Sequence, residues 1–161
     1  KRPDGTRLRD FKDVEEMNYK MIQNWNEVVK HDDTVYHLGD FGFGRNNNSI
    51  ASQLNGQLKF ILLGNHDKTP PQGFIRKEQL TEIYDEDTKI ILCHYGMRVW
   101  NKSHHGSILL YGHSHGSLPG TDQSLDVGVD CWDYYPITLE QIKRRLRTLP
   151  KHGVVDHHGK N

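Results

Sequence analysis

The chain has 161 residues, 34% of them hydrophobic, a length that supports one domain (1–161) with a real core and leaves little for a second. Its 21 Lys plus Arg balance 21 Asp plus Glu, so no dedicated basic surface is expected for nucleic acid or an anionic membrane. No apolar run approaches bilayer-spanning length, no charged start leads into an apolar h-region, and the only cysteines are Cys93 and Cys131, which together point to a soluble protein of a reducing, cytoplasmic compartment.

After a polar opening with Pro3, Asp4 and Gly5, residues 12–30 place Met17, Met21, Ile22, Trp25, Val28 and Val29 at helical spacing. Asp13 followed by Glu16 marks the start of that helix. The rhythm then changes to short apolar runs closed by Gly, Asn, Asp or His: TVYHL (34–38), LKFILL (58–63), KIILC (89–93), SILLYG (107–112) and SLDVGV (124–129). Their length and flanks predict buried strands. NSIASQL (48–54) predicts a short helix, and RKEQLTEIY (76–84) reads as a helix or an irregular crossover. Pro136 and Thr138, with Gln141 three residues on, open a final helix whose Lys143, Arg144, Arg145 and Arg147 form a solvated basic face. The tail from 150 to 161 has no clear period, and the asparagines at 46–48 mark a surface loop.

Chemistry gathers at the strand ends. TVYHL runs into Gly-Asp (39–40), LKFILL into Gly-Asn-His-Asp (64–67), KIILC into His94, and SILLY into Gly-His-Ser-His (112–115). Loops at one end of the strands of a layered α/β sheet converge on a ligand crevice, so Asp40, Asn65, His66, Asp67, His94, His113 and His115 are expected to meet. Carboxylate, imidazole and amide oxygen are the donor set that suits Mn, Fe, Zn or Ni, and no thiolate cluster suggests a structural zinc site. The glycines at 39, 64 and 112 allow sharp exits from the strands and close approach to an ion or phosphate. Eleven histidines in so short a chain point weakly the same way.

This ordered series resembles the calcineurin-like metallophosphoesterases, in particular small bacterial and phage forms, from Thr34 to about Asp130. The resemblance implies an α/β fold, a two-layer β-sandwich of mixed sheets flanked by helices, carrying two divalent metal ions. It makes Asp40 the bridging carboxylate, Asn65, His94 and His113 the other ligands of one metal, and His115 a ligand of the second. His66 would contact the phosphate and protonate the leaving oxygen, with Asp67 orienting its imidazole. The implied reaction is hydrolysis of a small, nucleotide-like phosphoester, as a phosphodiesterase or phosphatase, by a hydroxide held between ions about 3.5 to 4 Å apart.

Two departures qualify it. The family begins with a strand ending in Asp-x-His, both ligands of the second metal, and no such strand lies upstream of Asp40; the expectation is that it precedes Lys1 in the native protein. As it stands, the second metal keeps only Asp40 and His115, and a substitute from Asp156 or His158 in the tail is the less favoured reading. The phosphate-gripping arginine of one branch has no counterpart, because Arg45 has the wrong spacing. Arg98, His104 and His105 are candidate substrate contacts, while Asp126 and Asp130 read as turn or strand-end hydrogen bonders. The alternatives are a catalytically inactive metal-binding scaffold and a nuclease. The neutral charge disfavours the nuclease.

Overall fold

The computed structural model describes residues 9–153. Asp156 and His158 lie outside the described residues. The first helix, α1 (Val14–Val28), begins at Asp13, whose side chain accepts from the Glu16 N–H at 2.8 Å, while Glu16 reaches back to the Lys12 N–H at 2.6 Å. The first of these bonds satisfies a donor that the first turn leaves open, and the second ties down the residue before the cap. Ile22 and Trp25 on its inner face pack against Ala51, Leu54, Ile61, Leu63 and Phe74, and the Trp25 indole N–H donates to the Asn55 carbonyl at 2.9 Å.

Among the described residues seven strands follow: β1 (Thr34–His37), β2 (Leu58–Leu62), β3 (Phe74–Lys77), β4 (Leu80–Asp85), β5 (Thr88–Cys93), β6 (Ile108–Tyr111) and β7 (Ser124–Asp126). A short α2 (Asn47–Ala51) lies between β1 and β2, and α3 (Leu139–Leu146) closes the described chain. The first sheet is β1-β2-β3, parallel throughout. The second is β4-β5-β6-β7, in which β4 and β5 form an antiparallel hairpin and the remaining pairs are parallel.

Alternate residues of the continuous apolar runs serve different cores, which is why those strands carry little polar alternation. Ile90 and Leu92 of β5, with Ile108 and Leu110 of β6, join Leu38, Leu62, Leu125, Ile142 and Leu146 in the largest cluster. The intervening Ile91, Leu109 and Tyr111 pack with Trp100 on the other face. The α3 capping box forms as predicted, with Thr138 accepting from the Gln141 N–H and the Gln141 side chain accepting from the Thr138 N–H.

The architecture departs from the expected helix-flanked two-layer sandwich of mixed sheets. The first sheet is purely parallel, consecutive strands step mostly in parallel in a solenoid-like succession, and among the described residues only α1, α2 and α3 are α-helical. The largest local change is at 76–84, where a helix or crossover was expected and the end of β3 and most of β4 form. There Thr81 and Ile83 are half-buried while Leu80, Glu82 and Tyr84 are exposed, a period of two that a helix cannot satisfy. Pairing of the whole of β4 with β5, from Leu80–Cys93 to Asp85–Thr88, outweighs the weak helical tendency of its glutamates.

Candidate metal centre

The cluster is assembled where β1, β2, β5 and β6 end. Gly39 and Gly64 bring the first two strand ends into backbone contact. A Cβ on Gly39 would lie 2.5 Å from the Gly64 nitrogen, and one on Gly64 would lie 2.3 Å from Asp40 Oδ1. Gly112 has more room, its nearest neighbour to a Cβ being the Leu38 carbonyl at 3.9 Å. Beyond these exits Asp40, His113 and His115 adopt left-handed backbone, with φ of 56°, 58° and 46°.

Ligand atoms of Asp40, His94 and His113 all lie within 4.8 Å of one another. His94 is buried, and its Nδ1 lies 2.7 Å from the Leu38 carbonyl, which can only accept. The ring proton therefore sits on Nδ1, and a neutral His94 turns the lone pair of Nε2 toward Asn65 Oδ1 at 3.0 Å and Asp40 Oδ2 at 3.4 Å. Three electron-rich atoms converge with no donor among them. Such an arrangement calls for a cation, either a second proton on the ring or a metal ion, and the oxygen and nitrogen donors fit a divalent first-row metal. The fixed Nδ1–H bond is also the outer contact that orients a ligating imidazole. The His113 ring stands 5.1 Å from that of His94 and 4.6 Å from exposed Tyr95.

Asp67 has a different place from the one expected. Its carboxylate accepts from three backbone N–H groups, Asp40 at 2.6 Å, Phe41 at 3.0 Å and Gly64 at 3.0 Å. These bonds staple the β1 exit to the β2 exit, so Asp67 positions the Asp40 backbone. His66 is tied to the cluster through its backbone, donating to Asp40 Oδ1 at 2.9 Å, while its exposed ring lies 4.6 Å from Phe43.

His115 lines the same cavity as Asp40, His94 and His113, a space of about 740 Å³ continued inward by apolar residues such as Leu38, Ile90 and Leu110. Its Nδ1 lies 2.6 Å from Asp130 Oδ2, and Arg9 grips the same carboxylate, Nε to Oδ1 at 2.7 Å and Nη2 to Oδ2 at 2.9 Å. Burial would raise the Asp130 carboxyl, but the hydrogen bonds from Arg9 and His115 outweigh it and hold the group below the ordinary carboxylate range. Asp126 acts as the sequence suggested, accepting from the Gly116 and Gly128 N–H groups.

The proposed substrate contacts His104 and His105 are not brought to the site. Arg98, His104 and His105 are exposed, and none lines the cavity. The reason is topological for the two histidines: β6 runs parallel to β5, so the chain must return to the opposite end of the sheet before β6 begins, and the short 3-10 turn Ser103–His105 lies there. Cys131 offers no thiolate, because burial and then the Asp126 and Asp130 carboxylates push its thiol up to about 11.

Sequence reasoning also missed His37, a strand residue whose Nδ1 accepts from the Gly39 N–H at 3.1 Å. Burial pushes its pKa down to about 4, keeping it a neutral acceptor at the root of the Asp40 turn. The His-Leu-Gly-Asp sequence, a histidine two residues before the turn glycine, was its available signal. Arg9 had none, lying in the polar opening far from any motif.

No family model matches the chain. It is 34% identical over 149 residues to the uncharacterized protein MJ1445 of Methanocaldococcus jannaschii, across 86% of this chain and 80% of that protein. The Gene 66 protein of Mycobacterium phage L5 is 26% identical over 159 residues, across 74% and 76%. Among solved structures, the protein of unknown function AQ665 from Aquifex aeolicus shares the fold, with a TM-score of 0.65 at 22% identity over 86% of this chain and 87% of that one.

Proposed function

We propose that this chain, which belongs to the same family as the uncharacterized protein MJ1445 of Methanocaldococcus jannaschii, is a metal-dependent hydrolase of phosphoesters. The observation that carries the reading is the convergence of Asp40, Asn65 and His94 as acceptors facing one another, with His113 alongside. Asp40, Asn65, His94 and His113 would hold one divalent ion, and Asp40 with His115 would contribute to a second. When bound, such ions supply Lewis-acid polarisation of a phosphoryl oxygen and activation of water near neutral pH.

The chain's own residues do the rest. The Asp67 staple fixes the Asp40 backbone at the junction of the two strand exits, and the His66 N–H holds its carboxylate. His66, held by its backbone against Asp40 but with its ring exposed, is free to deliver a proton to the leaving oxygen. The substrate is a small phosphoester, nucleotide-like in size, and the neutral net charge of the chain favours no extended polyanion. Both cysteines are free, as a cytoplasmic setting would keep them, and no helix among the described residues is long and apolar enough to cross a membrane.

The test is hydrolysis of bis(p-nitrophenyl) phosphate with Mn²⁺, alongside metal content. Asp40→Asn is expected to lose both bound metal and turnover. His66→Ala is expected to keep the metal and lose about 10²- to 10⁴-fold in kcat on a substrate with a poor leaving group. Full activity of His66→Ala on that substrate would refute the proton-donor role. Metal retention without turnover on any phosphoester would leave a metal-binding protein instead.

A further inference from the structure

Asp130 stands in the short 3-10 turn Val129–Cys131 after β7, and its side chain is only 6% exposed. It receives one donor residue from far along the chain and one from the preceding strand exit. Arg9 engages both oxygens through Nε and Nη2, and a bidentate guanidinium fixes the plane of a carboxylate as well as its position. His115 approaches Oδ2 at 2.6 Å through Nδ1. An ionised carboxylate only accepts, so the proton between them belongs to His115 Nδ1. In a neutral imidazole that leaves Nε2 as the atom with a free lone pair. His115 itself is 46% exposed in its side chain, so apart from Asp130 little fixes which nitrogen carries the proton or how the ring is turned.

We propose that Asp130, held by Arg9, is a positioning residue that locks His115 in its Nδ1–H form and presents Nε2 to the cavity shared with Asp40 and His113. Asp130 acts through His115: its Oδ1 accepts from Arg9, and its Oδ2 is shared by Arg9 and His115. The arrangement reproduces for His115 what the Leu38 carbonyl does for His94. The metal-donor part of this assignment rests on the hydrolase reading above, whereas the choice of tautomer does not. An ordinary surface ion pair would contribute little and would leave the imidazole proton unaffected.

Long-range ¹H–¹⁵N correlation spectra of the metal-free chain at pH 8 read the two nitrogens of His115 directly. The expected wild-type result is a protonated Nδ1 and an unprotonated Nε2. In Asp130→Ala the proton is expected to redistribute toward Nε2, and calorimetric Mn²⁺ titration should lose 10- to 100-fold in affinity at the weaker site while the site at His94 is unchanged. Arg9→Gln, which keeps the Asp130 acceptor, should shift both readouts in the same direction by less. A wild-type His115 protonated on Nε2 would overturn the proposal whether or not any variant folds. So would an Asp130→Ala protein that loses thermal stability but keeps the wild-type tautomer and Mn²⁺ affinity. The expected tautomer in a chain that hydrolyses no phosphoester would sink the hydrolase reading and leave this assignment standing.

Discussion

Gly64 and Gly112 look alike in sequence, each at the exit of an apolar strand and each followed by a candidate ligand, yet their surroundings differ. A methyl on Gly64 would meet Asp40 Oδ1 at 2.3 Å and the Asp40 nitrogen at 2.7 Å, whereas a methyl on Gly112 would have no neighbour nearer than 3.9 Å. Gly64→Ala is therefore expected to cost about 1–3 kcal/mol in urea denaturation and to weaken Mn²⁺ binding, because the carboxylate must move. Gly112→Ala should fall within about 0.5 kcal/mol of wild type by the same measurement. The ligand types were legible at these positions because motif spacing records which residues leave a strand together. The partners of Asp67 were not, because a short acidic side chain beside a histidine reads as an imidazole orienter until the backbone N–H groups around it are placed. Asp130 was legible as a hydrogen bonder but not as a partner of Arg9, since nothing local in either segment records a contact across 121 residues.

Among the elements, the strands with continuous apolar sequence were the most readable and the amphipathic ones the least. β5 and β6 lie inside the second sheet with both faces covered, so their length and composition alone identified them. β4 is the outer strand of that sheet, its glutamates are neutral in propensity, and its half-buried alternation over a few residues competes with a helical reading. The energetic contrast follows the same division. Ile91→Ala, at a fully buried site of β5, should destabilise by about 2–5 kcal/mol, while Leu80→Ala on the exposed outer strand should stay within about 0.5 kcal/mol, both read from chemical denaturation. The parallel return before β6 also explains why "NKSHH" misled. A sequence records proximity along the chain, and a parallel connection carries neighbours to opposite ends of a sheet.

For the molecule as a whole, His37 sets a pH dependence. Its folded pKa of about 4 lies below the ordinary 6.5, so the unfolded chain binds the proton first. The associated stability is fully present above about pH 6.5 and is lost progressively as the pH falls toward 4. Urea midpoints measured from pH 8 down to pH 4 should decline over that window, and His37→Gln should flatten the part of the slope that His37 causes. The left-handed backbones at Asp40, His113 and His115 bear on the same balance. Each is a conformation that costs an ordinary side chain roughly 1–2 kcal/mol and costs glycine nothing. Domains of this kind are stable by only about 5–15 kcal/mol, so the three positions together hold back an appreciable share of the reserve. Glycine at any of them would make a hardier protein with one candidate ligand fewer, and selection for durability alone would erase the cluster.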